Sequence, residues 1–254
     1  MHDKSWQKIF DDYHIEEHDF DAAPYKITAT QIKRACQNFT ETGEKEVRIL
    51  CKQDTRESRP AVFKKLGLFL LPVKNGEYVI IKGEGYVDIP PIEKQTEIHR
   101  SKLQFKLDTV TVGNSEMQHL DFAYAASLIR TFLSDDTLVL TIRGRKYTPS
   151  FDFYVGKHQI KARSVQTEVD AGYEGKAQIV LIEAKNTQAS NVIIRQLYYP
   201  YRQWQSITSK KVIPMFFDKV GDIYSLWQFE FKDLMDYNSI SLVKSGKFKI
   251  VENQ

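Results

Sequence analysis

Four apolar residues, Ile179-Val180-Leu181-Ile182, run without a break into Glu183-Ala184-Lys185. An apolar run of this kind belongs in a packed sheet, where side chains alternate faces, so Glu183 and Lys185 point one way and Ala184 the other. Such a sheet has no structural use for two charges on a face that should be buried. Something must be held there. Upstream, the same alternation places Gln166, Glu168 and Asp170 on one face. Twelve residues, Gly172 and Gly175 among them, separate Asp170 from Glu183, enough for one strand to turn and become the next. If the two strands pair, the carboxylates of Asp170 and Glu183 meet at one end of the sheet with Lys185 beside them. Carboxylates at close quarters repel unless something positive lies between them. A hard divalent cation such as Mg²⁺ takes oxygen ligands of this type and keeps waters besides.

An aspartate, a glycine-containing hairpin, an apolar strand and then Glu-x-Lys resembles the PD-(D/E)XK nuclease superfamily, most of all its type II restriction endonucleases. The matching residues are Asp170, Glu183 and Lys185, with Val169 where the nominal motif has proline. The resemblance covers roughly the second half of the chain. It implies a Mg²⁺-dependent, sequence-specific endonuclease of double-stranded DNA that leaves 5′-phosphate and 3′-hydroxyl ends. In that reading Asp170 and Glu183 hold the metal, and Lys185 positions or activates the attacking water. Superfamily members often carry a further carboxylate on the helix before the core strands, and Glu116 in SEMQHLD looks similar. Glu168 is an additional acidic candidate. A palindromic target usually goes with a two-fold dimer. A repair or modification-dependent nuclease shares the same motif residues. The rival from another class is a catalytically inert winged-helix DNA-binding regulator, although a dead site has no reason to keep a lysine between buried carboxylates.

The first half reads as helices followed by a hairpin. In TATQIKRACQNF, Ile32, Ala35, Cys36 and Phe39 share a helical face, with Thr28 or Thr30 as N-cap. KEVRILCKQ is read as a short helix. SRPAVFKKLG is capped by Ser58 and stopped by Gly67, with Arg59, Lys64 and Lys65 toward solvent. LFLLPVKNGEYVIIKG is two strands joined at Asn75-Gly76. Helices, a basic third helix and a two-stranded wing form the layout of a winged helix-turn-helix, whose third helix enters the major groove while the wing touches phosphates. From Lys26 to Lys65 there are ten Lys and Arg against five Asp and Glu, whereas the first 21 residues are acidic. Arg56, Arg59, Lys64, Lys65 and Asn75 are the candidate DNA contacts of this unit.

The second half opens with an expected strand, LQFKLDTVTV, and one long helix from Ser115 to Leu133. Strands follow through Lys185. Next comes a helix over SNVIIRQLYYPYRQWQSIT, which Pro200 should kink or split. Its polar side gathers Arg195, Gln196, Tyr199, Arg202 and Gln203, which suits phosphate contact. Arg143 and Arg145 flank Gly144 at an expected strand end, within reach of DNA. Three more strands close the chain. The expected fold is α/β (α+β), a mixed β-sheet flanked by helices of restriction-endonuclease-like type. The expected units are residues 1–95, a winged-helix-like recognition domain, and 96–254, the nuclease domain.

The 42% hydrophobic and 27% charged residues suit a globular chain with a sizeable core. A net charge of +3 permits a nucleic-acid partner without demanding one. Cys36 and Cys51 read as reduced thiols. With no signal-peptide pattern and no membrane-length apolar run, a cytoplasmic protein with no membrane partner is expected.

Overall fold

The computed structural model describes residues 2–111 and 113–252. Eight elements come first: α1 (Asp3–Asp12), β1 (Tyr25–Thr28), α2 (Ala29–Ala35), α3 (Thr42–Lys45), α4 (Val47–Leu50), α5 (Ala61–Leu66), β2 (Leu68–Lys74) and β3 (Glu77–Lys82). Thr28 caps α2 in a reciprocal capping box with Gln31. Gly67, at φ 65°, ends α5 in the left-handed conformation that glycine adopts without strain. Ser58 does not cap α5. Its hydroxyl closes a local turn on Thr55, and Pro60 occupies the N-cap position.

β1, β3 and β2 form an antiparallel sheet in that order. The β2–β3 hairpin is buried on both sides, which explains its continuous apolar sequence. Leu68, Leu70 and Ile80 pack with Trp6, Phe10, Ile32 and Phe63 of the helices. Phe69, Leu71, Val79 and Ile81 pack into a second core shared with the rest of the chain. Lys74 and Asn75 at the tip and Lys82 at the end of β3 stand in solvent. This hairpin therefore cements the molecule as well as presenting a turn.

The remaining elements are β4 (Tyr86–Asp88), β5 (Glu97–Arg100), α6 (Glu116–Ala125), α7 (Leu128–Leu133), β6 (Val139–Tyr147), β7 (Phe151–Val155), β8 (His158–Ala162), β9 (Gln166–Glu174), β10 (Gln178–Lys185), β11 (Asn191–Ile193), α8 (Arg195–Gln205), β12 (Lys211–Val220), β13 (Ile223–Phe231) and β14 (Ile240–Val251). Seven of these strands make a mixed sheet in the order β5-β14-β13-β12-β10-β9-β6. β10 runs parallel to β12 and β14 parallel to β5, while the other pairs are antiparallel. One face of the sheet packs against α6 and α7 through Leu120, Ile129, Tyr173, Ile182 and Phe217. The other meets α8 and β7 through Phe153, Leu197, Tyr198, Phe216 and Trp227. The molecule is a mixed α+β fold with a large sheet flanked by helices.

Several local expectations change. The long helix is two, because Ser127 adopts φ 67° and breaks it between α6 and α7. The strand expected over 103–112 is absent among its described residues, and Asp108–Thr111 form a 3₁₀ turn instead. Val112 lies outside the described residues. Asn191–Ile193 form a strand rather than the start of a helix, because β4 offers them a pairing edge. α8 runs through Pro200 without splitting. Gly144 sits inside β6 at a register shift, with φ 72°, not at a strand end. Among the described residues no helix is long and apolar enough to cross a membrane.

Candidate active site

β9 and β10 pair from Ile179–Glu174 to Ile182–Ala171. Asp170 and Glu183 come next, and there the ladder stops. The N–H of Ala184 is taken by the Asp170 side chain, whose Oδ2 accepts it at 2.8 Å. Val169 packs with Leu181 on the α8 side, whereas Ala171 packs with Ile182 on the α6 side. The two-residue alternation is thus interrupted at Asp170, so Gln166, Glu168 and Asp170 do not share one face as expected. Its carboxylate is turned toward the end of β10.

Glu183, Leu181 and Ile179 lie on the α8 side, and Glu183 is only 8% exposed. Its Oε1 accepts from Lys185 Nζ at 2.5 Å and from Gln196 Nε2, in the first turn of α8, at 2.8 Å. Lys185 Nζ also donates to the Ala184 carbonyl at 3.1 Å. Burial, reinforced by Asp170, pushes Glu183 up to about 7 despite the neighbouring ammonium. Asp170 is also raised, first by burial and then by Glu116 and Glu168. Burial works against the charge on Lys185. Even so, Glu183, followed by Glu116 and Asp170, carries its pKa above the ordinary lysine value. The site therefore holds a fixed cation beside two carboxyl groups whose ionisation burial disfavours.

Glu116 approaches this cluster from the N-terminus of α6, where Ser115 and Gln118 form a capping box. The preceding loop is clamped. Asn186, directly after Lys185, donates Nδ2 to the Asn114 carbonyl at 3.2 Å, and His119 Nε2 lies 2.8 Å from Asn114 Oδ1. Asp218 is buried on β12 opposite Lys185 and is pushed up to about 6 by burial. Asn114, Asn186, His119 and Asp218 carry no motif signal. Only the position of Asn186 beside Lys185 pointed toward the site.

The other candidates scatter. Glu168 is exposed and pairs with Arg145 at 3.2 Å. Arg143 pairs with Asp121 of α6. Lys64 and Lys65 are exposed on α5, with Lys65 3.7 Å from Glu16 of the acidic leading segment. Asn75 is exposed at its hairpin tip. Arg56 is held by Glu84, Asp88 and the Tyr86 carbonyl. Arg59 bonds the carbonyls of Arg56 and Leu68 and lies over the Tyr86 ring. Both are half-buried and tied to these partners. Arg195 is half-buried, 3.8 Å from Asp54.

Arg202 and Tyr199 are buried, contrary to the expected polar helix face. A second layer, β7 and the β2 hairpin, covers the outer side of α8. Arg202 donates to the Asp152 and Leu234 carbonyls at 2.9 Å and to Tyr198 Oη at 2.8 Å, with Phe151 beneath its guanidinium. Arg202→Ala would strand these acceptors. We expect it to lower unfolding free energy by about 3 kcal/mol or more, measured by urea titration, with the soluble protein retaining its far-UV spectrum.

Among the described residues no group of three or more His, Cys, Asp or Glu side chains is arranged as a metal site. Mg²⁺ does not need three. One or two carboxylates suffice when waters complete its shell. Asp170 and Glu183 are such a pair, carboxyls whose charged form burial disfavours and a cation would favour. The donor set fits the ion.

Residues 3–80 match the family model described as a domain of unknown function (DUF6996), and residues 81–249 match a second, also described as a domain of unknown function (DUF6997). No curated protein and no solved structure matches the chain. The two models meet inside β3. The second spans more than half of the chain and includes Glu116, Asp170, Glu183, Lys185 and Gln196, so the chain belongs to the DUF6997 family.

Proposed function

We propose that this protein is a Mg²⁺-dependent endonuclease of double-stranded DNA. Its nuclease core is of PD-(D/E)XK, restriction-endonuclease-like type, and its N-terminal unit is winged-helix-like. A type II restriction enzyme is the closest description. One observation carries the reading: the Asp170 and Glu183 carboxyls and the Lys185 ammonium converge where β9 and β10 part, with Gln196 in the first turn of α8 bonded to Glu183. The order β1-β3-β2 beside short helices supports the winged-helix assignment. Exposed Lys64, Lys65 and Asn75 suit phosphate contact there.

Asp170 and Glu183 would hold Mg²⁺, which when bound supplies Lewis-acid polarisation of the scissile phosphate and neutralises its charge. Lys185, held protonated, is a hydrogen-bond donor rather than a base at neutral pH. It orients water or stabilises negative charge gathering on the attacked phosphate. Gln196 fixes the orientation of the Glu183 carboxylate. Glu183 must ionise to accept a cation, so at subsaturating Mg²⁺ cleavage should rise as pH increases through about 7 and level off above it, with the midpoint falling as Mg²⁺ is raised.

The test is supercoiled plasmid treated with the protein and Mg²⁺ across this pH range. Conversion to linear DNA that a chelator stops, with ends labelled by a kinase only after phosphatase treatment, supports the reading. Cleavage that persists in chelator contradicts it.

A further inference from the structure

The segment after α4 is sewn to the start of α8. Ile193 donates its N–H to the Asp54 carbonyl at 2.9 Å, and Arg56 donates its N–H to Asn191 Oδ1 at 2.7 Å. Asn191 Nδ2 in turn reaches both Glu57 oxygens, at 3.0 and 3.1 Å. Tyr86 Oη donates to the Gln53 carbonyl at 3.0 Å. Arg195, whose Nη2 lies 3.8 Å from Asp54 Oδ1, is the residue before Gln196, and Gln196 bonds Glu183. Only two side chains separate Asp54 from the candidate catalytic glutamate.

Four buried polar atoms at this junction have no hydrogen-bond partner: Gln53 Nε2 and Oε1, Arg195 Nε and Gln196 Oε1. Buried polar atoms are rarely left so, because each costs about 1–3 kcal/mol. They include donors and acceptors, both of which a buried water can serve with its two to four bonds. The 3.8 Å between Arg195 and Asp54 is too long for a direct hydrogen bond but short enough to be bridged. The charge of Asp54 is also felt at Glu183.

We propose that Gln53 and Asp54, supplied by the N-terminal half, are positioning residues of the active site, fixing the Glu183 carboxylate through a water-bridged network with Arg195 and Gln196. The assignment rests on the nuclease reading for its catalytic consequence. It makes the site a product of both halves of the chain. It also places the network a few residues from α5, so DNA seated on α5 and Glu183 are physically joined.

The test uses the full chain with Asp54→Asn, Asp54→Glu and Gln53→Leu, and Arg48→Ala, exposed on α4, as a surface control, because Lys52 itself pairs with Asp54 at 3.6 Å. The side-chain amide resonances of Gln196, assigned with Gln196→Ala, should shift in Asp54→Asn and Gln53→Leu and stay in place in Arg48→Ala. Unmoved resonances in both variants overturn the proposal whatever the activity. In cleavage assays Asp54→Asn should lower kcat about tenfold with KM for DNA within twofold, and Asp54→Glu should recover most of it. A changed KM with intact kcat overturns the positioning role. A wild type that cuts no DNA sinks the nuclease reading, while the amide shifts still decide the network.

Discussion

Lys185→Ala should lower the single-turnover rate of DNA cleavage by about 10²–10³-fold while leaving DNA affinity within a factor of two. The ammonium is fixed by Glu183 and the Ala184 carbonyl, so it meets developing charge without reorganising. Its positive charge is secured by Glu183, Glu116 and Asp170 against the cost of burial. On the nuclease proposal, removing it would take a preorganised donor from the reacting phosphate, and it leaves Glu183 with Gln196 as its remaining side-chain partner. Affinity depends on phosphate contacts spread over other residues, so a gel shift in Ca²⁺ should be little altered. A cleavage rate within threefold of wild type would remove Lys185 from the mechanism.

The second large effect is on stability. Between pH 5 and pH 8 the unfolding free energy of Glu183→Gln should gain about 2–3 kcal/mol relative to wild type without divalent cation. The sign follows from the direction of the shift. Burial raises Glu183 from its ordinary 4.5 to about 7, so between those values the folded state binds more protons than the unfolded state. Stability from this group is therefore lost as pH rises through that window, and the glutamine, which never ionises, escapes the loss. The ion pair with Lys185 is already contained in the raised Glu183 value, so it is lost with the carboxylate and offsets part of the gain only where Glu183 is ionised. Excess Mg²⁺ should raise the melting temperature of wild type and not of the variant, closing the gap. A gap that is constant with pH would mean that Glu183 ionises normally.

Much of this was legible in the chain because local chemistry dictated it. The hairpin at Asn75-Gly76, the Thr28 and Ser115 caps, the Gly67 stop and the last three strands follow from turn geometry and side-chain periodicity. The approach of Asp170 to Glu183 and Lys185 follows from one short connection between paired strands, although the break in alternation at Asp170 does not. What was hidden depends on a third layer. Read alone, α8 shows a polar side, and nothing nearby says that β7 and the β2 hairpin will cover it and bury Arg202. Ser127 breaks the expected long helix where Ala126 offers its carbonyl to His99 and to the Lys102 N–H, both distant in sequence. The Asp54–Arg195 approach joins residues from opposite halves, and no motif spacing announces it.

The decisive measurement is digestion of unmethylated phage DNA by the wild type and Asp170→Ala, each in Mg²⁺ and in EDTA. The account predicts discrete fragments from the wild type in Mg²⁺ alone, with Asp170→Ala leaving the DNA intact. Intact DNA from the wild type on methylated and unmethylated substrates alike, with a gel shift persisting, would contradict it and give the strand charges to a DNA-binding protein that does not cut.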